Sequence, residues 1–244
     1  LNKNKIKFKI LDFRSSFMIL RLLYILIKEI KTFSPDIVHT WMYHSDLLGG
    51  IAAKLVGTKK IIWNVRACEM DLDKVKFSTI IVRRICSFLS NIIPNLILFN
   101  SKSAIKSHLK LGYKNPNIKF IPNGFDTKKF VPNGKIRKNF KLKHCISKNT
   151  FLIGMVSRDD PLKNNEGALK VITILKGENY DVKLVVIGKH MDGNNIKFLN
   201  KIIKYNLNND VILQGFKKNI ERIIPAFDCL IIPSHAEAFP NVLG

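Results

Sequence analysis

Short apolar runs alternate along this chain with longer stretches whose apolar residues recur every third or fourth position. Ile6–Leu11 reads as a short strand. Phe17 to Thr32 then carries Leu20, Leu23, Tyr24, Ile27 and Ile30 at helical spacing. Pro35 and Asp36 turn the chain into an apolar run through Val38. A small-residue helix over Ser45–Val56 stops at Gly57, and Lys60–Val65 follows as a strand. The same rhythm continues with a helix over Phe77–Ser90 and a strand over Leu96–Asn100. Ser101 caps a helix reaching Leu111, which Gly112 ends, and a last strand covers Lys119–Pro122.

Asn123-Gly124 is a turn signal, and the stretch up to Asn149 is polar, basic and broken by Pro132 and Gly134. The pattern then restarts. Strands are expected over Phe151–Ser157, Lys183–Ile187, Val211–Leu213 and Cys229–Pro233, with helices over Asn165–Gly177, Asn195–Tyr205 and Asn219–Ala226. Alternating strands and helices imply an α/β fold with parallel sheets covered by helices. The pattern divides the chain into a Rossmann-like domain over 1–135, a linker region over 136–149 and a second Rossmann-like domain over 150–244. Both ends look trimmed: the chain opens on Leu1 and stops at Gly244 without a closing element.

Composition changes this picture in one respect. The 244 residues are ordinary in hydrophobic (46%) and charged (24%) content, which argues against disorder, but the formal net charge is +23. Such a charge fits a phosphate-rich partner: nucleic acid, or an anionic membrane surface on the cytoplasmic side. Lysine enrichment spread along the whole chain is the plainer source of it. No recognised nucleic-acid module and no interleaving of aromatic with basic residues is present, so nucleic acid is not the expected partner. Cys68, Cys86, Cys145 and Cys229 are far apart, which fits a reducing cytosol better than a zinc site or disulfide framework. The most apolar stretch, Phe17–Ile30, is interrupted by Arg21, Lys28 and Glu29 and falls short of the roughly 20 apolar residues a membrane span needs.

Ligands of open α/β sheets bind beyond the carboxyl ends of the strands. After Phe151–Ser157 comes Arg158-Asp-Asp-Pro-Leu-Lys163-Asn, which puts two cations next to a helix start, where phosphates bind. The alternative for this loop is a solvated turn with Arg158 paired to Asp159 or Asp160. After Cys229–Pro233 comes Ser234-His-Ala-Glu237-Ala-Phe239-Pro240-Asn241-Val242, a stiff loop with one carboxylate and backbone amides near a helix start. Together the two loops suggest a diphosphate-bearing ligand.

The run from Ile231 to Gly244 resembles the "Pro-Ser-x-x-Glu-x-Phe-Pro-Asn" signature of the large retaining glycosyltransferase family called family 4. Gly154 to Arg158 followed by Lys163 is similar to its "Gly-Arg-Leu…Lys" block. Val186-Ile187-Gly188 and Leu213-Gln214-Gly215-Phe216 resemble two further blocks, and Asn100-Ser101 and Ile121-Pro122-Asn123-Gly124-Phe125-Asp126 resemble those that close the first domain. The resemblance runs from about Pro35 to the last residue. It implies the GT-B architecture, two Rossmann-like domains facing across a cleft, with a sugar nucleotide as donor substrate and no cofactor or essential metal. It further implies that Arg158 and Lys163 neutralise the donor diphosphate and Glu237 holds the donor sugar, these three being the catalytic candidates. Phe239, Pro240, Asn241 and Val242 would support sugar and phosphate, and Gly215 and Phe216 would lie near the base. The family's second Glu would be the next residue after Gly244.

Two departures stand out. Nothing before Ile37 matches the family's opening glycine-rich loop, and Arg66 stands where the family often has His. Arg66 is therefore the leading acceptor-side candidate, with His44 and Asn123 behind it, while His39 reads as structural. The expected activity is transfer of a hexose, with retention, from a nucleoside-diphosphate sugar to a polysaccharide or lipid-linked acceptor in cell-envelope synthesis. The basic first domain would rest as a peripheral protein on anionic lipid. A sugar-nucleotide epimerase on the same fold and a charge-driven nucleic-acid- or membrane-binding protein are the alternatives.

Overall fold

A computed structural model describes residues 7–11, 19–68 and 76–244. The chain separates into two compact units, Leu1–Pro122 and Asn123–Gly244. The first contains α1 (Ile19–Phe33), β1 (Ile37–Trp41), α2 (Tyr43–Val56), β2 (Lys60–Val65), α3 (Phe77–Leu89), β3 (Leu96–Phe99), α4 (Lys102–Lys110) and β4 (Ile118–Phe120). Its four strands are parallel in the order β1-β2-β3-β4, so each crossover steps one place along the sheet. Trp63, Val65, Ile97 and Phe99 point from the central strands into a core that Ala53, Cys86 and Ala104 close from the helices. The small residues of α2 have a steric reason: a Cβ on Gly50 would meet the Trp63 indole nitrogen at 2.7 Å. Of the expected strand at Ile6–Leu11, residues 7–11 carry no regular structure and Ile6 lies outside the described residues.

The second unit contains α5 (Gly134–Lys143), β5 (Phe151–Val156), α6 (Asn165–Gly177), β6 (Val182–Ile187), α7 (Ile196–Lys204), β7 (Val211–Leu213) and β8 (Cys229–Leu230). Its sheet is also parallel, in the order β7-β6-β5-β8. The region expected as a linker over 136–149 is not an open connection. Asn133 caps α5 by accepting from Lys135 N and Ile136 N, and Phe140 packs with Ile146, Leu152, Val185 and Ala226. Its polar composition belongs to a helix with one narrow apolar edge, so the first unit ends at Pro122 rather than residue 135. The helix expected over Asn219–Ala226 is two 3-10 turns, Ile220–Arg222 and Ile224–Ala226, with Pro225 in the second.

Candidate functional site

The order β7-β6-β5-β8 sets β5 and β8 side by side, so the loops leaving their carboxyl ends meet. Asp160 starts the first loop by accepting from Leu162 N at 2.9 Å, which winds Pro161–Lys163 into a 3-10 turn. Asn164 then takes the left-handed conformation, φ 50°, and its side chain donates to Pro233 O at 3.0 Å. His235 N donates back to Leu162 O at 2.9 Å. The two loops are stitched together by these bonds. A Cβ at Gly167 would meet the Asn164 amide nitrogen at 2.5 Å, so the first turn of α6 leaves room for that side chain.

Stitching brings Lys163 to Glu237. The Lys163 ammonium donates to Glu237 Oε1, which also accepts from Ser234 Oγ at 2.8 Å. Both charged side chains are about a quarter exposed (27% and 23%), so the pair is reachable from solvent and only partly screened. They line a pocket of about 210 Å³ with Ser157, Phe239, Pro240, Asn241 and Val242. Arg158 is not part of its wall. Its guanidinium binds Asp160 at 2.8–2.9 Å and is 65% exposed, the solvated-turn geometry. Burial raises the Asp160 carboxyl, but Leu162 N–H and Arg158 outweigh that and hold it below the usual carboxylate range. Gly215, left-handed at φ 64°, and the exposed Phe216 end β7 and do not line the pocket.

Asn123 belongs to the second unit, where its side chain donates to Asn241 Oδ1, and Phe125 stacks on Phe239 at 5.7 Å. It thus lies beside the pocket loop of the second unit, whereas Arg66 and His44 belong to the first. Those two stand at the carboxyl ends of β2 and β1 in the first unit. The Arg66 guanidinium lies 4.8 Å from the Trp41 ring, and His44, His39 and Trp41 share an apolar pocket of about 590 Å³. Burial lowers the His39 pKa. Asn164 and Phe125 carry the site's geometry without having been singled out from sequence. An Asn pair directly after Lys163, at a helix start, was the available signal for Asn164.

A model of Glycosyltransferase Family 4 matches residues 3–129, and one of Glycosyl transferases group 1 matches residues 136–243. The chain belongs to glycosyltransferase family 4. This family 4 chain is 27% identical over 218 residues to the UDP-Gal:alpha-D-GlcNAc-diphosphoundecaprenol alpha-1,3-galactosyltransferase of Escherichia coli, covering 88% of this chain and 56% of the relative. It is 29% identical over 244 residues to an uncharacterized glycosyltransferase of Methanocaldococcus jannaschii, covering 93% and 57%. Among solved structures, Anabaena HepE in complex with UDP-glucose is similar at TM-score 0.78 and 19% identity, over 94% of this chain and 61% of that one. Sucrose-phosphate synthase of Thermosynechococcus elongatus is similar at TM-score 0.74 and 15% identity, over 96% and 60%. These likenesses identify the two parallel α/β units as the GT-B fold. The family 4 chain spans somewhat over half the length of the curated relatives it matches.

Proposed function

We propose that the protein transfers a hexose, with retention of anomeric configuration, from a uridine diphosphate sugar to a lipid-linked or polysaccharide acceptor. The observation that carries this reading is the Lys163–Glu237–Ser234 cluster in a pocket at the carboxyl ends of two adjacent parallel strands. An arriving diphosphate competes with Glu237 for the Lys163 ammonium. The diphosphate brings more than one negative charge and several acceptor oxygens where Glu237 offers a single charge, so the exchange favours the phosphate. Glu237, released from the ammonium, then accepts hydrogen bonds from the donor sugar hydroxyls. Negative charge grows on the diphosphate as the glycosidic bond breaks. Lys163, and Arg158 once it turns from Asp160, stabilise that charge more in the transition state than before it. Two side-chain cations fill the electrostatic role a divalent metal has elsewhere, so donor binding is expected to be metal-independent.

Uridine is favoured because the Escherichia coli relative is named for UDP-Gal and the Anabaena structure holds UDP-glucose. The name of that relative also supports a diphospholipid acceptor, met at the cytoplasmic membrane surface with Arg66 and His44 on the acceptor side. Calorimetry with UDP, GDP and their hexose conjugates, each with and without EDTA, tests the donor reading. Binding of one uridine conjugate unaffected by EDTA supports it, and no binding by the folded chain would sink it. The anomer of the product, read by NMR, tests retention.

A further inference from the structure

The second unit holds a further cavity, of about 400 Å³, that shares no lining residue with the pocket of Lys163 and Glu237. It opens between α5 and the turns that follow β7. The helix α5 is rich in cations and has no acidic residue. Two of its cations are satisfied within the fold: Arg137 binds Asp228, and Lys141 donates to Lys148 O and Thr150 O. Lys143 is not. It lines the cavity with Lys217 and Arg222, all three exposed, and no carboxylate among the described residues pairs with any of them. The remaining acids beside this wall are engaged elsewhere. Glu221 meets Lys129 at 3.6 Å, and Asp192, near Gly215, accepts from Asn194 N at 3.0 Å. His144 sits among the cations. Burial lowers its pKa, and Lys143 and Lys217 lower it further, so both ammonium groups direct their field onto the imidazole. The Gln214 amide donates to His144 Nε2 at 3.2 Å, so Nδ1 carries the ring proton and has no acceptor among the described residues. Phe140 packs on that ring, centroids 4.5 Å apart, and fixes its plane. The carbonyls that end α5 do not repel an anion strongly, because Phe140 O, Lys141 O and Leu142 O accept from His144, Ile146 and Cys145 N–H.

We infer that this cavity is a second ligand site, separate from the donor pocket, and that it takes a small phosphorylated molecule of sugar-phosphate size. Lys143, Lys217 and Arg222 receive the phosphate, and His144 Nδ1–H and Gln214 are the neutral groups that meet the rest of the ligand. Three cations without a counter-charge around one concavity select a compact anion with more than one negative charge. The volume falls within the range of small-molecule sites, about 300–1,000 Å³, which exceeds what a bare phosphate fills and leaves room for a sugar. The inference does not depend on the donor reading, since no residue of the Lys163 loop enters it.

The test is calorimetry of the 244-residue chain with ribose 5-phosphate, with ribose as the uncharged control and the imidazole NMR signals followed on the same samples. Ribose 5-phosphate is expected to bind, more weakly as salt is raised, and to move the His144 signal, while ribose does neither. Lys143→Ala and Arg222→Ala should each weaken that binding by about tenfold, leaving UDP affinity and melting temperature unchanged. Both positions are exposed, so loss through misfolding would show in the melting temperature. Lys163→Ala, and saturation with UDP, should leave ribose 5-phosphate binding as it was. No binding, a parent-like affinity in both cavity variants, or a His144 signal that stays still would overturn the inference. Displacement by UDP or loss in Lys163→Ala would overturn it too, by assigning the sugar phosphate to the donor pocket. Failure of UDP to bind, with ribose 5-phosphate binding intact, would instead count against the donor reading alone.

Discussion

The first unit seals ionisable side chains beneath its helices, while the second keeps its core apolar and sends its charges to the strand ends. Asp46, Arg83 and His108 are 0%, 6% and 0% exposed, and Tyr43 and Tyr113 lie with them. Asp46 Oδ1 accepts from Thr40 Oγ1 at 2.6 Å while Oδ2, Arg83 Nε and the Tyr113 hydroxyl have no partner. In the second unit the principal core is built from residues such as Met155, Leu169, Leu184, Val186 and Phe198. Its buried ammonium, Lys141, is satisfied by Lys148 O and Thr150 O at 2.7 Å each. The difference teaches that the same α/β rhythm can enclose ionisable groups in its core or hold them at its strand ends. The unit with the apolar principal core is the one carrying the pocket.

The largest expected effect breaks the comparison through pH. Burial pushes the Asp46 carboxyl up from 3.8 to about 7, so the native state holds a proton that the unfolded chain releases, and stability falls as pH rises from about 4 to 7. Burial pushes His108 down from 6.5 to about 4, in keeping with its Nδ1–H donating to Ala104 O and its Nε2 accepting from Tyr43 O–H at 2.7 Å each. That group's stability contribution is lost as pH falls from 6.5 to about 4. Between about 4 and 6.5 the two slopes oppose and cancel. His108→Gln leaves the Asp46 slope alone, so the first unit should lose on the order of 3 kcal/mol between pH 4 and 6.5. Asp46→Asn should reverse the sign. Amide exchange of β2 and β3, with β6 as the internal control, reads both, and equal responses in the two units would remove the contrast.

A steric probe acts on the second unit only. A Cβ at Gly154 would stand 2.1 Å from the Phe227 ring, so Gly154→Ala should cost about 2 kcal/mol through overpacking, with β2 exchange unchanged. Lys163→Ala should weaken UDP binding by about tenfold without moving the melting temperature of either unit. Smallest is Asn133→Ala, which removes the cap of α5 and should cost about 1 kcal/mol in the second unit.

Much of the fold was legible because buried parallel strands are written as apolar runs. Lys60–Val65 and Val211–Leu213 have the expected bounds, and most helices begin and end within two residues of expectation. The departures have local causes. α5 shows only Ile136 and Phe140 as apolar spacing among lysines, and its Gly134 suggested a break although it opens the helix behind Asn133. Glu237 and Lys163 lie 74 positions apart; the placement of both loops beyond strand ends joined them on paper, and the resemblance gave them roles. Arg158 shows the limit of the loop reading: two cations bracket the turn, yet Asp160 takes one of them. Asn123 was assigned by its position in the chain, whereas its partner Asn241 decides its place. The buried cluster around Asp46 left no such trace, because a single carboxylate in a small-residue helix looks like any solvated one.

Gly188 closes β6 where β5 gives way to the Arg158 loop. A Cβ there would stand 1.9 Å from Ser157 O and 3.0 Å from Arg158 N. Any side chain at 188 therefore displaces the base of the loop that bears Arg158, Asp160 and Lys163, while the packed residues beneath it can stay put. In a saturation library sorted once for soluble yield and once for nucleotide capture, this glycine is where the two sorts part company. It offers a way to obtain a well-behaved protein blind to its ligand without touching a residue that meets it.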